Sequence, residues 1–198
     1  RWYSSHGIKL CLYPSVFHPA WMLTTTTLLS YIKSLQIKQK TVLELGAGNG
    51  LVALWCAQSG AKVTASDINP AAIRSVDESA RANHIELTTI LSDLFEDISQ
   101  QQFDYIFINP PYFPKDPAND QEKAFFCGTD FEYFHALFRQ LKTYVHHQSS
   151  VLMILTDDCE LEKIATIAHR YGWQWKTVHQ RKKWGEQHFI YQLFSDNK

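Results

Sequence analysis

The chain has no pair of cysteines at CxxC spacing and no cluster of cysteine with histidine. Its four cysteines, Cys11, Cys56, Cys127 and Cys159, are scattered. That scatter argues against structural zinc and against a disulfide framework, and it fits a reducing, cytoplasmic setting. Charge of one sign is also missing. Nineteen Lys and Arg face twenty Asp and Glu, for a net charge of −1 and a pI near 6.8. Contact with nucleic acid would therefore rest on a local patch, not on a global field. No apolar run approaches the roughly 20 residues needed to span a bilayer. The start "RWYSSHGIKL" lacks the apolar core of a secretory signal, so no membrane partner is expected. There is no internal repeat and no low-complexity tract beyond the four threonines 24 to 27. At 198 residues and 45% hydrophobic content, the chain is long enough for one domain with a substantial core.

From residue 41 short β-branched runs alternate with helix-length segments. "TVLEL" (41–45), "AKVTAS" (61–66), "ELTTIL" (86–91), "FDYIFI" (103–108) and "VLMIL" (151–155) read as strands, with helices near 50–59, 70–83, 130–146 and 158–171. This is the signature of βαβ units, so the expectation is an α/β fold whose mostly parallel sheet is covered on both faces. "WQWKTVH" (173–179) and "HFIYQLF" (188–194) are joined only by "QRKKWGEQ". A link that short holds no crossover helix, and the last strand should run antiparallel to its neighbour, leaving the sheet mixed at one edge. Residues 1–40 read as an N-terminal extended segment and a helix (19–37, with Pro19 in its first turn) packed on the fold formed by 41–198, a single domain overall.

"VLELGAGNGL" places Gly46, Gly48 and Gly50 between the first of these strands and a helix. Such a turn lets backbone approach a ligand and aims the free N–H groups of the helix start at it. The dinucleotide fingerprint GxGxxG needs glycine at position 51, which is leucine. Glu44, just before the turn, would repel a pyrophosphate but could receive a cationic amine. Asp67 in "SDINP" lies 21 residues beyond Gly46, where a carboxylate can accept from both hydroxyls of a ribose. Asp67 could equally cap the helix entered through Pro70, a task open to Asn69 as well. Ile68 offers an apolar face to a purine. Asp93, after the third strand, could accept from an exocyclic amine while Leu94 donates its backbone N–H.

"INPPYF" ends the fourth strand, beside the first at the switch point of an open sheet, where ligands bind. Asn109 supplies a side-chain carbonyl, and Pro110 presents a backbone carbonyl from a rigid turn. Two acceptors so held can grip both hydrogens of a planar NH2 group, with Tyr112, and Phe113 beside it, available to stack on the group that bears it. An amide or aryl amine delocalises its lone pair. Acceptors that fix the NH2 and favour charge building on nitrogen therefore suit methylation of an sp2 nitrogen.

With these motifs in place, the chain resembles the class I S-adenosylmethionine (SAM) dependent methyltransferases, and within them the HemK/PrmC group of glutamine N5-methyltransferases. The likeness covers roughly residues 16 to 194, through "LELGAGNG", "SDINPAAI", "SDLFED", "FINPPY" and "CGTDFEYFHAL". The NPPY motif is shared with adenine N6 methyltransferases acting on DNA or RNA. The resemblance implies a Rossmann-like, seven-stranded sheet with SAM as cofactor, S-adenosylhomocysteine as product and no metal. It assigns Glu44 and the Gly46, Gly48 and Gly50 turn to the methionine end, Asp67 to the ribose, and Ile68, Asp93 and Leu94 to the adenine. Asn109, Pro110 and Tyr112 fall to the acceptor and to catalysis, Asn109 also reaching the cofactor.

The sequence departs from that group in three places. Bacterial release-factor enzymes carry a helical N-terminal domain, whereas about forty residues precede the first sheet strand here. That favours the compact branch of eukaryotes and archaea, whose members pair with a small zinc-binding activator protein. There "VFHPAW" continues with acidic residues and a Thr that touches the cofactor; this chain has "MLTTTT", which leaves open which threonine takes that role. In the Gly-Gly-x-Asp-Gly segment, Gly128 matches, but Cys127 and Phe131 stand where the first and last glycines would be.

The expected acceptor is a protein glutamine, as in a release factor, ahead of adenine in RNA or DNA. From another class, a non-catalytic partner subunit would keep the fold but has no physical reason to keep Asn109, Pro110 and Tyr112. His18 reads as a structural or surface group. His146 and His147 read as residues at a helix end, complementing its negative terminus or facing solvent. Arg181, Lys182, Lys183 and Trp184 read as a solvated hairpin turn that could also contact phosphate or an acidic protein.

Overall fold

The computed structural model describes residues 1–14, 16, 23–119, 121–183 and 185–195. Pro19, His18 and Trp184 lie outside the described residues. Of the helix expected over 19–37, the described residues form α1 (Leu23–Ile32), which stops five residues short of the expected end. Ahead of it the chain forms a hairpin that sequence reasoning missed, β1 (Trp2–Ser5) against β2 (Ile8–Cys11). Next come β3 (Thr41–Leu45), α2 (Leu51–Gln58), β4 (Lys62–Asp67), α3 (Pro70–Asn83), β5 (Thr88–Leu91) and β6 (Phe103–Ile108). They are followed by α4 (Glu132–Gln140), β7 (Val145–Thr156), α5 (Leu161–Arg170), β8 (Trp173–Lys183) and β9 (Glu186–Ser195).

The main sheet has seven strands in the order β5-β4-β3-β6-β7-β9-β8. The pairs β3/β4, β4/β5, β3/β6 and β6/β7 are parallel, whereas β9 runs antiparallel to both β7 and β8. The expected α/β architecture with an antiparallel last strand is what the chain adopts. That strand lies one in from the edge, however, because β8 continues the sheet beyond it.

Alternation along the strands feeds two cores. Leu43, Ile106, Ile108, Met153 and Leu155 pack with Phe134, Phe138 and Ile164 of α4 and α5. Val42, Phe107, Leu152 and Ile154 pack with Leu28, Leu29, Leu51 and Val52 of α1 and α2. Both faces are buried, which is why the runs read as apolar nearly throughout. The β1–β2 hairpin is tied to α3: Cys11 N donates to Ser79 Oγ (2.8 Å) and Lys9 N to Asn83 Oδ1 (2.9 Å).

Two expectations are corrected. The helix read over 130–146 ends at Gln140, passes through a 3-10 turn (Leu141–Tyr144) and becomes strand at Val145, so His146 and His147 lie in β7 and not at a helix end. The polar "HHQSS" is held in the sheet by side chains: Ser149 Oγ donates to Phe103 O (2.6 Å) and accepts from His146 N (2.7 Å). Arg181, Lys182 and Lys183 belong to β8, paired with His188, Gln187 and Glu186, rather than to a turn. β8 is an edge strand, and charge on such a strand discourages edge-to-edge association. No helix among the described residues is long and apolar enough to cross a membrane.

Candidate active site

The carboxyl ends of β3, β4, β5 and β6 open into one cleft of about 1150 Å³, large for a small-molecule site. The glycine turn after β3 is strapped to β4, since Gly46 N and Ala47 N both donate to Ser66 O (2.9 and 2.8 Å). Gly48 N donates to Asp67 Oδ2 (2.8 Å), and Asn49 Oδ1 accepts from Leu51 N (3.0 Å) at the start of α2. Gly46 and Gly48 line the cleft, but Gly50 does not. Its φ is +75°, and a Cβ there would stand 2.7 Å from Val76 Cγ2. Gly50 thus has a packing role: glycine is needed there so that α3 can close on the turn.

Glu44 is buried, and its Oε2 accepts from Ala53 N (2.7 Å) in the first turn of α2. Burial pushes its carboxyl up to about 8; the Ala53 N–H works against this and the charge of Asp67 with it. Asp67 Oδ1 accepts from Asn69 N and Oδ2 from Gly48 N, both at 2.8 Å. Burial raises its carboxyl too, opposed by the N–H groups of Asn69, Gly48 and Ile68. The helix-capping alternative falls to Asn69, whose side chain accepts from Ala71 N (2.9 Å) at the start of α3. Ser66, 1% exposed on the wall of the cleft, has an Oγ with no hydrogen-bond partner among the described residues. An orphaned hydroxyl beside a cavity leaves a hydrogen bond for a water or a polar ligand to make.

Ile68, Asp93 and Leu94 line the same cleft. Leu94 sits at φ +49°, its turn held by Ser92 Oγ, which donates to Leu94 O (3.1 Å) and accepts from Asp97 N (3.0 Å). Tyr133 of α4 lines this end as well, its hydroxyl pushed up by burial and by the charges of Asp67 and Asp93.

At the other end, residues 105, 107 and 109 share one face of β6, the face packed on α1. Asn109 Nδ2 consequently meets Thr24 Oγ1 (3.2 Å) and Thr25 Oγ1 (3.4 Å), while its Oδ1 accepts nothing from the described residues. Burial pushes the Tyr112 hydroxyl up to about 12, and its ring lies 4.7 Å from that of Phe113. Tyr112 N and Phe113 N both donate to Phe125 O (3.1 and 3.0 Å), folding the 113–130 segment back over the cleft. Phe113 and Phe125, 38% and 37% exposed, form an aromatic rim. Phe131 adopts φ +61°, a left-handed conformation that glycine would take without strain, and its ring is wholly buried. The departure from glycine at this position is thus offset by core packing.

Asp158 and Glu186 line the same wall. Glu186 Oε2 lies 3.0 Å from Nε2 of His188, which is 0% exposed and whose Nδ1 is 3.1 Å from Thr27 Oγ1. Sequence reasoning missed Tyr133, Asp158 and Glu186. Tyr133 sat in the quoted "CGTDFEYFHAL" segment, but nothing in sequence marked its ring as facing the cleft. Together Glu44, Asp67, Asp93, Asp116, Glu132, Asp158 and Glu186 line the cleft against one cation, Lys123, among the described residues.

A doubly wound sheet with its cleft at the β3/β6 switch point, a glycine turn on one side and an Asn-Pro-Pro-Tyr turn on the other, defines a protein of the class I methyltransferase fold. The chain belongs to the methyltransferase small domain family, whose model matches residues 7–130. It is 41% identical over 109 residues to a Methanocaldococcus jannaschii protein named "Putative protein N5-glutamine methyltransferase", an alignment covering 54% of this chain and 53% of that one. It is 32% identical over 126 residues to a tRNA1(Val) (adenine(37)-N6)-methyltransferase of Shewanella halifaxensis, covering 60% of this chain and 51% of that one. The chain thus spans about half the length of these curated relatives. Among solved structures, the E. cuniculi Mtq2–Trm112 complex, described as responsible for methylation of the termination factor eRF1, superposes with a TM-score of 0.66 at 20% identity. That match covers 92% of this chain and 99% of that one.

Proposed function

We propose that this chain is a SAM-dependent N-methyltransferase acting on a planar NH2, foremost the side-chain amide of a protein glutamine. The observation that carries the reading is Asn109: its Oδ1 faces no partner among the described residues, at the end of the strand that adjoins the glycine turn, in the same cleft. The residues present fit SAM. Asp67 lines the cleft as a carboxylate that can accept from a ribose hydroxyl, Ser66 Oγ is orphaned in the same strand, and nothing stands within 4 Å of a Cβ at Gly46 or Gly48. Ile68 and Leu94 would bracket a purine, Asp93 would accept from its amine, and Glu44 with the glycine turn would hold the methionine end. When bound, SAM supplies a methyl group already activated by its sulfonium.

The chain's own work is positioning. Asn109 Oδ1 and the Pro110 carbonyl accept from the two hydrogens of the acceptor NH2, and Tyr112 covers the flat group behind it. Holding both hydrogens in the plane of two acceptors favours positive charge building on nitrogen as its lone pair attacks. The proton left on nitrogen after transfer departs to water, so no general base is required.

Acid on the walls supports a polypeptide acceptor over a nucleic acid, because each phosphate brought to the cleft would meet carboxylates. A second reading, adenine N6 in RNA, draws on Arg181, Lys182 and Lys183 of edge strand β8 and on the likeness to the tRNA enzyme. A small activator protein belongs to the first reading, and the E. cuniculi neighbour is itself a complex of two proteins, Mtq2 and Trm112.

The deciding experiment offers radiolabelled SAM and the purified chain, with and without such an activator, to a release factor and to tRNA, and then digests the products. Label released by protease supports the glutamine reading, and label released by nuclease replaces it with adenine. A chain that fails to bind SAM in calorimetry would revive the non-catalytic subunit.

A further inference from the structure

The run Thr24–Thr27 takes no part in the chemistry proposed above, and its four hydroxyls do different things. Thr26 Oγ1 donates to Leu23 O within α1 (3.1 Å). Thr27 Oγ1 pins the helix to the sheet through buried His188 (3.1 Å). Thr24 and Thr25, both lining the cleft, place their hydroxyl oxygens 3.2 and 3.4 Å from the amide nitrogen of Asn109. Leu28, Leu29 and Ile32 bury the same helix against the face of the sheet from which Asn109 projects.

The two ends of a primary amide are nearly the same size and opposite in hydrogen-bonding sense. An Asn free to turn over would present its own NH2 to the acceptor's NH2 for part of the time, donor against donor. With their own protons directed elsewhere, two hydroxyl oxygens that accept from Nδ2 remove that freedom. We propose that Thr24 and Thr25 are positioning residues that fix the Asn109 amide, so that the acceptor meets Oδ1 and the site selects a hydrogen-bond donor. The inference rests on the methyltransferase reading and deepens it: substrate choice between NH2 and a group without hydrogens is set from α1, through Asn109.

The test compares kcat, KM and SAM affinity in isosteric variants. T24V/T25V is expected to lower kcat about 10- to 100-fold, as two lost hydrogen bonds permit, with SAM affinity by calorimetry unchanged. T24S/T25S should restore the rate, and T26V should stay within about twofold of the wild type because its hydroxyl never leaves the helix. In an N109A background, T24V/T25V should cost nothing further, since the group they orient is gone. A full penalty persisting in N109A, a parallel loss of SAM affinity, or an unchanged rate would each overturn the proposal. Transfer retained by N109A itself would instead overturn the reading of the site. A readout free of activity is the Asn109 side-chain amide in NMR, assigned by its absence in N109A. Its protons should be protected from exchange in the wild type and exposed in T24V/T25V; equal exchange in both would sink the proposal even where no acceptor has been found.

Discussion

The two ends of the cleft are built in different ways. At the glycine end, Gly46, Gly48, Asp67, Ile68 and Leu94 come from strand ends and the turns that follow them, and the bonds that shape this frame are local: Gly48 to Asp67, Asn69 to Asp67, Asn49 to Leu51. At the Asn109 end, partners are far apart in the chain: Asn109 meets threonines 85 and 84 residues away, and His188 meets Thr27 161 residues away. The first end draws on β3, β4, β5 and the turns that follow them. The second exists only when α1, β6, β7 and β9 are all in place. On the proposed reading, the cofactor's frame is encoded locally and the acceptor's is assembled from the whole fold.

The largest expected effect separates the two ends by function. Asn109→Ala should reduce methyl transfer about 10²- to 10³-fold, the scale of losing one preorganised acceptor at a reacting centre, and leave SAM affinity within a few-fold of the wild type. Asp67→Ala should do the reverse, weakening SAM binding by roughly 10- to 100-fold through lost charge-assisted hydrogen bonds to the ribose. Calorimetry and single-turnover transfer on both variants read the contrast. If the two substitutions reduce both quantities alike, the cleft has no division into a cofactor end and an acceptor end.

The same contrast explains what could be read from the chain alone. The glycines after β3, Asp67 at the end of β4 and the Asn-Pro-Pro-Tyr turn after β6 are contiguous motifs, and the parallel sheet that brings them to one cleft follows from the βαβ rhythm. What stayed hidden depends on tertiary context. Glu44 reads as a ligand for an amine, yet one of its oxygens also holds the start of α2, because alternation along β3 points residues 42 and 44 at that helix. Gly50 carries the same letter as Gly46 and Gly48 but faces Val76 of α3 instead of the cleft. Asp158, Glu186 and Tyr133 have no local signature, being ordinary residues at element ends that the sheet order turns toward one cavity. "HHQSS" has no strand periodicity and becomes strand because Ser149 bridges it to Phe103.

Next in size is a stability difference within the glycine turn. Gly50→Ala meets both a left-handed φ and a contact of 2.7 Å with Val76, whereas Gly48→Ala, at φ +55°, has open space around the new methyl. Gly50→Ala should therefore cost about 2–4 kcal/mol in urea unfolding and Gly48→Ala about 1 kcal/mol, the strain of the conformation alone. Adding Val76→Ala should return part of the loss to Gly50→Ala and none to Gly48→Ala. Equal costs for the two alanine variants would show that Gly50 serves the turn and not the packing of α3.

The smallest effect asks whether Glu44 belongs to the fold, to the ligand, or to both. Its carboxyl stands at about 8 in the folded chain against an ordinary 4.5, so between those values the folded state holds more protons than the unfolded one. The stability it contributes is fully present below about pH 4.5 and is lost as pH rises toward 8; Asp67, also raised, acts in the same direction. Glu44→Gln keeps an oxygen for Ala53 N but has nothing to titrate, so chemical unfolding of this variant should depend less steeply on pH across that window. A bound cation would reverse the preference of the site by favouring the ionised carboxylate. SAM binding near pH 7 should accordingly release a proton from the wild type and none from Glu44→Gln, read by calorimetry in buffers of different ionisation enthalpy. Release unchanged by the substitution would place the ligand's amine elsewhere and leave Glu44 as the acceptor that begins α2, drawing it out of the ligand's frame and into the fold's.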